Sequence, residues 1–189
     1  AKKRKILRRL KRSANKPKTQ PGDVNIKYDF TAKGQGISVA GIGIALKMLE
    51  KLKLHDRLNN GLKILKIHQP YKDADHVINI AMNSFIGGQT LDDIELRRND
   101  EAYLDAIGVT SIPDPTTEGD YCRRYDADRV MTLQRIFNET RLDIWKEQPK
   151  EFFEIARADA DGVVVGTNGE CKEGMGLSYK GVWGYHPLI

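Results

Sequence analysis

The fold is decided by the last stretch of the chain, residues 152–189, which is FFEIARADADGVVVGTNGECKEGMGLSYKGVWGYHPLI. Its β-branched and aromatic residues, separated by glycine-rich turns, favour strands around 154–160, 163–167 and 177–183. Asp159 and Asp161 interrupt this pattern, although aspartate is a poor strand former. Because side chains alternate along a strand, both carboxylates are expected on one face of the sheet.

The residues before this stretch have the periodicity of helices. Ser38 is placed to cap a first helix, whose inner face carries Val39, Ile42, Leu46, Leu49 and Leu52. Asp73 or Asp75 is placed to cap a second helix, which stops at Gly87–Gly88. Its core face is predicted from the apolar repeat Val77, Ile80, Ala81, Ser84 and Phe85.

Further helices follow up to Pro149. Two short ones end at Gly108, and the next has Asp114 as its cap and Pro115 in its first turn. A longer helix covers about 127–147, with Val130, Leu133, Ile136, Phe137, Thr140 and Ile144 on its inner face. Helices followed by strands predict an α+β chain: a basic arm and linker at 1–30, an all-α region at 31–148, and the start of a sheet domain at 149–189.

Composition restricts the class of protein. The 189 residues contain no apolar run long enough to span a membrane, so no membrane partner is expected. The two cysteines, Cys122 and Cys171, are too few for a disulfide framework, which indicates a reduced, cytoplasmic protein.

Charge is concentrated at the N-terminus. Residues 1–18 hold ten of the 31 Lys and Arg residues and no acid, so the rest of the chain has 21 basic and 26 acidic residues. Such an arm suits a polyphosphate backbone, because each contact releases counterions, although a solvated tail is the alternative. The candidate DNA contacts in the arm are Lys2, Lys3, Arg4, Lys5, Arg8, Arg9, Lys11 and Arg12.

Arg123 and Arg124 are the other candidate DNA contacts. They lie in the last turns of the helix that begins at Pro115, where two positive charges can reach a phosphate backbone. The same position also complements the negative end of the helix dipole, so the sequence leaves a structural role open.

The Asp159–Gly162 cluster allows several kinds of chemistry. A calcium loop fails, because Val163 stands at a position that needs a side-chain oxygen. The D-x-D-G pattern also occurs in haloacid-dehalogenase-like phosphatases, but the preceding residues are not a continuous apolar strand. The third possibility is a magnesium-binding carboxylate on the first strand of a ribonuclease H-like sheet, since magnesium prefers hard oxygen ligands. Two aspartates at a solvent-exposed strand end remain the structural alternative.

Four blocks of the sequence together resemble one family. They are GGQTLDDIELRRNDEAYLDAIG, IPDPTTEGDYCRRY, DADGVVVGTNGECKEG and SYKGVWGYHPL, in this order and covering most of residues 70–189. The chain resembles the N-terminal part of a DDE-type insertion-sequence transposase with a group-one DDE domain. Val163 departs from the threonine that the family commonly has two residues after the first catalytic aspartate.

The resemblance implies a function and a site. The helical region would recognise DNA ends and support assembly, and the following ribonuclease H-like mixed sheet would carry catalysis. Three acids would hold two Mg²⁺ or Mn²⁺ ions, with Asp161 as the first metal ligand and catalytic residue and Asp159 as its catalytic neighbour. The partners implied are double-stranded DNA, at insertion-sequence ends and target, and a second copy in a homodimer. The location implied is the bacterial cytoplasm, near the nucleoid.

The family's second aspartate and its glutamate are expected beyond Ile189, so the catalytic domain is expected to be incomplete and the chain inactive by itself. Two-metal phosphoryl transfer needs all of its carboxylates to position the ions. The alternative functions are a non-catalytic, repressor-like DNA-binding protein and, with less support, the phosphatase.

Overall fold

The computed structural model describes residues 36–39, 41–66, 70–159, 161–168 and 172–185. The chain divides into two compact units, Ala1–Lys146 and Glu147–Ile189. In the described residues the first unit is helical and the second contains a small antiparallel sheet, which confirms the predicted α+β class. The arm contacts Lys2 to Arg12 lie outside the described residues.

The described part of the first unit has seven α-helices around one apolar core. A 3₁₀ turn at Leu91–Asp93 leads into the fourth helix. The helices are α1 (Ile42–Lys51), α2 (Leu54–Gly61), α3 (Asp73–Phe85), α4 (Ile94–Arg98), α5 (Glu101–Ala106), α6 (Pro115–Cys122) and α7 (Ala127–Lys146). Fully buried core side chains include Leu58, Ile78, Ile94 and Tyr103, each typically worth about 1.5–3 kcal/mol of burial free energy. No helix in the described ranges combines the length and apolarity needed to cross a bilayer.

Two helix ends lie where short sequence motifs predict them. Gly87 has a φ of 90°, and the N–H groups of Gly87 and Gly88 donate to the carbonyls of Ser84 and Asn83. This pattern is a Schellman motif, which confirms the predicted end of α3. Asp114 accepts a hydrogen bond from the Thr117 N–H at 2.9 Å, so the predicted cap of α6 is confirmed as well.

Two predicted caps are wrong. Gly41, not Ser38, precedes α1, and Ser38 lies exposed in a bend. The residue that precedes α3 is Lys72, and Asp75 accepts from the Lys72 N–H at 2.9 Å. Asp75 therefore acts from inside the first turn, as the acidic member of a capping box does.

The predicted inner faces of α3 and α7 also need correction. In α3, Phe85 is 63% exposed and Ala81 is exposed, whereas the buried side chains include Ile78 and the polar Asn79. In α7, Ile136 and Thr140 are buried as predicted, but Val130 and Phe137 are exposed. Both helices carry apolar side chains on more than one face, so periodicity could not select the packed one.

The second unit contains less strand than the sequence predicts. A 3₁₀ turn at Lys150–Phe153 is followed by irregular backbone over 155–159, so the strand predicted at 154–160 is wrong. The strands are β1 (Val165–Gly166), β2 (Gly176–Leu177) and β3 (Trp183–Tyr185), in the order β1-β3-β2 and all antiparallel. The segment predicted as one strand at 177–183 is a hairpin, because Gly181 turns the chain with a φ of 73°.

Candidate functional site

A buried polar network joins α3 to α6. Both Glu118 carboxylate oxygens accept hydrogen bonds, from His76 Nδ1 at 2.9 Å and from Asn79 Nδ2 at 2.5 Å. The Glu118 side chain is 0% exposed and that of His76 is 4% exposed. Asn79 Nδ2 also lies 3.3 Å from the Pro113 carbonyl, at the entry to α6. A carboxylate removed from water is tolerated here because both of its oxygens have donors.

Aromatic rings enclose this network. The His76 ring stacks on Tyr121, with centroids 4.3 Å apart and planes 10° apart, and Tyr71 contacts its edge. Burial raises the pKa of the Tyr121 hydroxyl above its ordinary value, with further contributions from Tyr125 and Asp73. Burial likewise raises the pKa of Tyr71. Both hydroxyls therefore stay protonated and act as donors: Tyr71 to the Ile112 carbonyl at 2.9 Å, and Tyr121 to the Asp73 carbonyl at 3.4 Å.

Asp73 ties the start of α3 to the chain that follows α2. Its two carboxylate oxygens accept from the N–H groups of Ile64 and Leu65, each at 3.2 Å. The Ala74 N–H donates to the Asn59 side chain at 2.9 Å. The beginning of α3 is thus held on one side by backbone amides and on the other by α6.

This packing fixes α6, and α6 presents the two arginines. Arg123 is the C-terminal cap residue of α6, and its guanidinium pairs with Asp120 one turn earlier. Both side chains of that pair are more than half exposed, so the pair is worth little. Arg124 is exposed, and its guanidinium forms no hydrogen bond or ion pair within the described residues. Of the two DNA contacts predicted in the helical unit, Arg124 is therefore the one whose positive charge has no partner within the described residues.

The two aspartates belong to the second unit. Asp159 and Asp161 are both exposed, and neither belongs to a strand. The inference that strand pleating aligns their carboxylates therefore loses its basis, because the backbone is irregular there. Asp161 Oδ1 accepts from the Gly162 N–H at 2.7 Å, which leaves its second oxygen open.

The donor chemistry at Asp159 and Asp161 fits a hard divalent cation only in part. Exposed carboxylates are suitable first ligands for magnesium. Across the described ranges, however, no group of three or more His, Cys, Asp or Glu side chains is arranged to hold a metal ion. These residues can supply ligands to a metal site, but the described part of the chain does not complete one.

The sequence analysis missed the buried network, although a signal was present. His76, Asn79 and Asn83 recur at positions i, i+3 and i+7, which places three polar side chains on one face of α3. All three are buried. The apolar residues on the neighbouring face fit the pattern of an amphipathic helix, so that face, and not the polar one, was predicted to be buried.

Comparisons with known proteins add no relative. No family model, no curated protein and no solved structure matches this chain.

Proposed function

We propose that this chain is part of a DDE-type transposase that binds insertion-sequence ends and contributes Asp161 to a ribonuclease H-like catalytic site. The observation that carries the proposal is the motif DADGVVVGTNGECKEG, together with three further blocks of the same family in the same order. The open carboxylates of Asp159 and Asp161 are compatible with this role, because magnesium prefers hard oxygen ligands.

Each part of the chain would have a separate task. The basic arm would contact DNA phosphates without reading sequence, since lysine and arginine contacts to phosphate position a protein on a duplex. Arg124 would add a phosphate contact from the helical unit. Asp161, with Asp159 beside it, would hold one side of a Mg²⁺ or Mn²⁺ site. When bound, the ions would neutralise charge during an in-line displacement at a DNA phosphodiester. In the active complex, two copies would act together at the DNA ends.

The second candidate function is DNA binding without catalysis. It is favoured by one observation: the described residues bring no third acid to Asp159 and Asp161. A chain with the arm and Arg124 but an incomplete carboxylate set would occupy DNA without cutting it.

A salt-dependent gel shift tests the DNA-binding part. We expect the chain to bind duplex DNA with a logarithmic salt slope of about −0.9 per neutralised phosphate. Replacing the eight arm residues Lys2, Lys3, Arg4, Lys5, Arg8, Arg9, Lys11 and Arg12 by alanine should remove most of that slope. Arg124→Ala should lower the slope by about 1, whereas Arg123→Ala should change it less because Arg123 is paired with Asp120. Absence of binding at low salt contradicts both candidate functions.

The catalytic part is tested with Mn²⁺ and a labelled DNA substrate. We expect weak Mn²⁺ binding, detected by electron paramagnetic resonance, that is lost in the Asp159→Asn, Asp161→Asn double variant. Asp120→Asn is the matched control, since Asp120 is also an exposed aspartate. DNA nicking by the 189-residue chain that disappears in Asp161→Ala would show that the chain holds a complete site and would exclude the non-catalytic candidate. Turnover of a small phosphoester without DNA cleavage would instead support the phosphatase.

A further inference from the structure

The longest helix, α7, leaves much of its apolar surface exposed. Its 20 residues span about 30 Å, at 1.5 Å per residue. Only Ile136 and Thr140 on it are buried, and these lie where α7 packs against α2. Five other apolar side chains on α7 are between 37% and 63% exposed; we call them the α7 stripe: Val130, Met131, Phe137, Leu142 and Trp145.

The α7 stripe runs along nearly the whole helix. At 100° per residue its members occupy a broad sector, mainly on the side of the helix away from Ile136 and Thr140, from Phe137 at one edge to Leu142 at the other. The other side chains in this sector are Ala127, Gln134, Asn138 and Arg141, so the sector carries one charge. A long, weakly charged helical surface of this kind marks an interaction site.

The charges beside the stripe indicate what covers it. Asp128, Arg135, Glu139 and Lys146 lie along one flank of the stripe, and all four are exposed. Phe137 is the midpoint between Asp128 and Lys146 and also between Arg135 and Glu139. If a second α7 runs antiparallel to the first with the two Phe137 residues level, Asp128 is level with Lys146 of the second copy, and Arg135 with its Glu139. In an antiparallel pair of identical helices, residues on the same flank face one another. Each acid of this flank would therefore lie opposite a base of the second copy.

We propose that the α7 stripe is the contact surface for a second copy of this chain, with the two α7 helices antiparallel about a two-fold axis near Phe137. The symmetry gives each ion pair twice, so the flank would carry four pairs of opposite charge. A parallel arrangement would instead place this flank opposite the other edge of the stripe, beside Phe137, and would leave the four charges without these partners. Lys146 also bonds Asp143 of its own helix, but its side chain is 74% exposed and an ammonium has three donors.

This pairing is independent of the proposed function, since it uses neither the arm nor the aspartates. It rests on the exposed apolar stripe and on the self-complementary flank. If the chain does act on DNA, the pairing would also supply the contact that holds two copies together.

Charge reversal distinguishes this antiparallel pair from any other dimer. In Arg135→Glu alone, residue 135 would meet Glu139 of the second copy twice; in Glu139→Arg alone, two arginines would meet twice. We expect sedimentation velocity, from about 1 to about 100 µM protein, to show each variant dimerising about tenfold or more weakly than the parent chain. Mixing the two variants should restore dimerisation as a heterodimer, because each new acid then faces a new base.

The mixing experiment separates pairing between copies from effects within one helix. Residues 135 and 139 are one turn apart, so reversing either charge also changes an intrahelical contact worth a few tenths of a kcal/mol. Mixing cannot repair an intrahelical contact, so failure of the mixture to restore the dimer overturns the proposed arrangement. A parent chain that stays monomeric throughout this concentration range overturns it as well.

An apolar-face variant tests the stripe itself. The Met131→Glu, Leu142→Glu double variant should abolish dimerisation while circular dichroism shows unchanged helix content, since both side chains are largely exposed. Phe85→Glu is the matched control, because Phe85 is an equally exposed apolar residue on α3 and should leave the dimer intact. A dimer that survives the double variant, or is lost with Phe85→Glu, lies on another surface and refutes the proposal.

Discussion

Replacing Glu118 by glutamine isolates the contribution of the buried polar network. The substitution keeps the side-chain volume but removes the negative charge and one acceptor. In the parent chain both carboxylate oxygens are used, one by His76 Nδ1 at 2.9 Å and one by Asn79 Nδ2 at 2.5 Å. Glutamine can accept at only one of these places, so its amide N–H₂ would either face a donor at the other or require the His76 ring to change tautomer.

The expected cost follows from burial. Hydrogen bonds to charged groups contribute about 1.5–3 kcal/mol, and leaving a buried donor without an acceptor costs about 1–3 kcal/mol. Glutamine retains one acceptor and fills the same space, so we expect Glu118→Gln to lower the free energy of unfolding by about 3 kcal/mol. That loss is a large part of the roughly 5–15 kcal/mol by which a domain is stable.

Urea unfolding followed by circular dichroism measures this loss. A double-mutant cycle with His76→Phe, which keeps a ring against Tyr121, should show a coupling of about 1–3 kcal/mol between positions 76 and 118. Asp120→Asn is the control, because its pair with Arg123 is exposed and should contribute at most about 0.5 kcal/mol.

Two results would refute this reasoning. One is a loss below about 1 kcal/mol for Glu118→Gln, which is the size of an ordinary hydrogen bond and would mean that the network carries no special weight. The other is strict additivity in the cycle, which would mean that His76 and Glu118 do not stabilise each other.

Three further predictions concern backbone geometry and pH. Lys53→Gly should stabilise the first unit by about 0.5–1 kcal/mol in urea unfolding, because Lys53 has a φ of 51° that glycine adopts without strain, whereas Lys51→Gly inside α1 should destabilise it by a similar amount. The pKa of His55 is lowered by burial in the folded state. The contribution of neutral His55 to the free energy of unfolding is therefore complete above the unfolded pKa of about 6.5 and is lost as the pH falls towards the lower folded pKa. When the free energy of unfolding is measured against pH, His55→Leu should lack this decline. Gly184→Ala should lower the free energy of unfolding by about 1–3 kcal/mol, because a Cβ there would overlap the Val165 carbonyl oxygen. It should also remove the hydrogen-exchange protection of the Thr167 amide, which donates to the Trp183 carbonyl in the same sheet. Gly176→Ala is the control, since a Cβ at Gly176 meets open space and should change neither quantity.

Features set by a few neighbouring residues could be predicted from the sequence. The end of α3 at Gly87–Gly88 and the start of α6 at Asp114–Pro115 depend on backbone angles and on hydrogen bonds within one turn. Such contacts involve residues only two to five positions apart, so the amino-acid order determines them directly. The change from helices to strands near Pro149 follows from a change in periodicity and is equally local.

The sequence could not predict which face of a helix is buried, because that depends on which other element packs against the helix. On α3 the polar residues His76 and Asn79 are buried, since Glu118 on α6 supplies acceptors 42 and 39 positions away. Without that partner the apolar stripe ending at Phe85 would have been the better core. The prediction of a strand at 154–160 was wrong for a related reason. A strand forms only where a neighbouring strand supplies partners for its backbone hydrogen bonds, and β3 pairs with Val165–Gly166 instead.

For the candidate site, the sequence by itself identified the carboxylates of Asp159 and Asp161 and the arginines 123 and 124, because residue type and spacing determine which chemistry is possible. Only the tertiary structure showed that Arg123 is paired, that Arg124 has no ion pair with any residue in the described part of the chain, and that the aspartates are exposed on irregular backbone. The physical reason is that charge and hydrogen-bonding capacity belong to a residue, whereas exposure and partners belong to the packing around it.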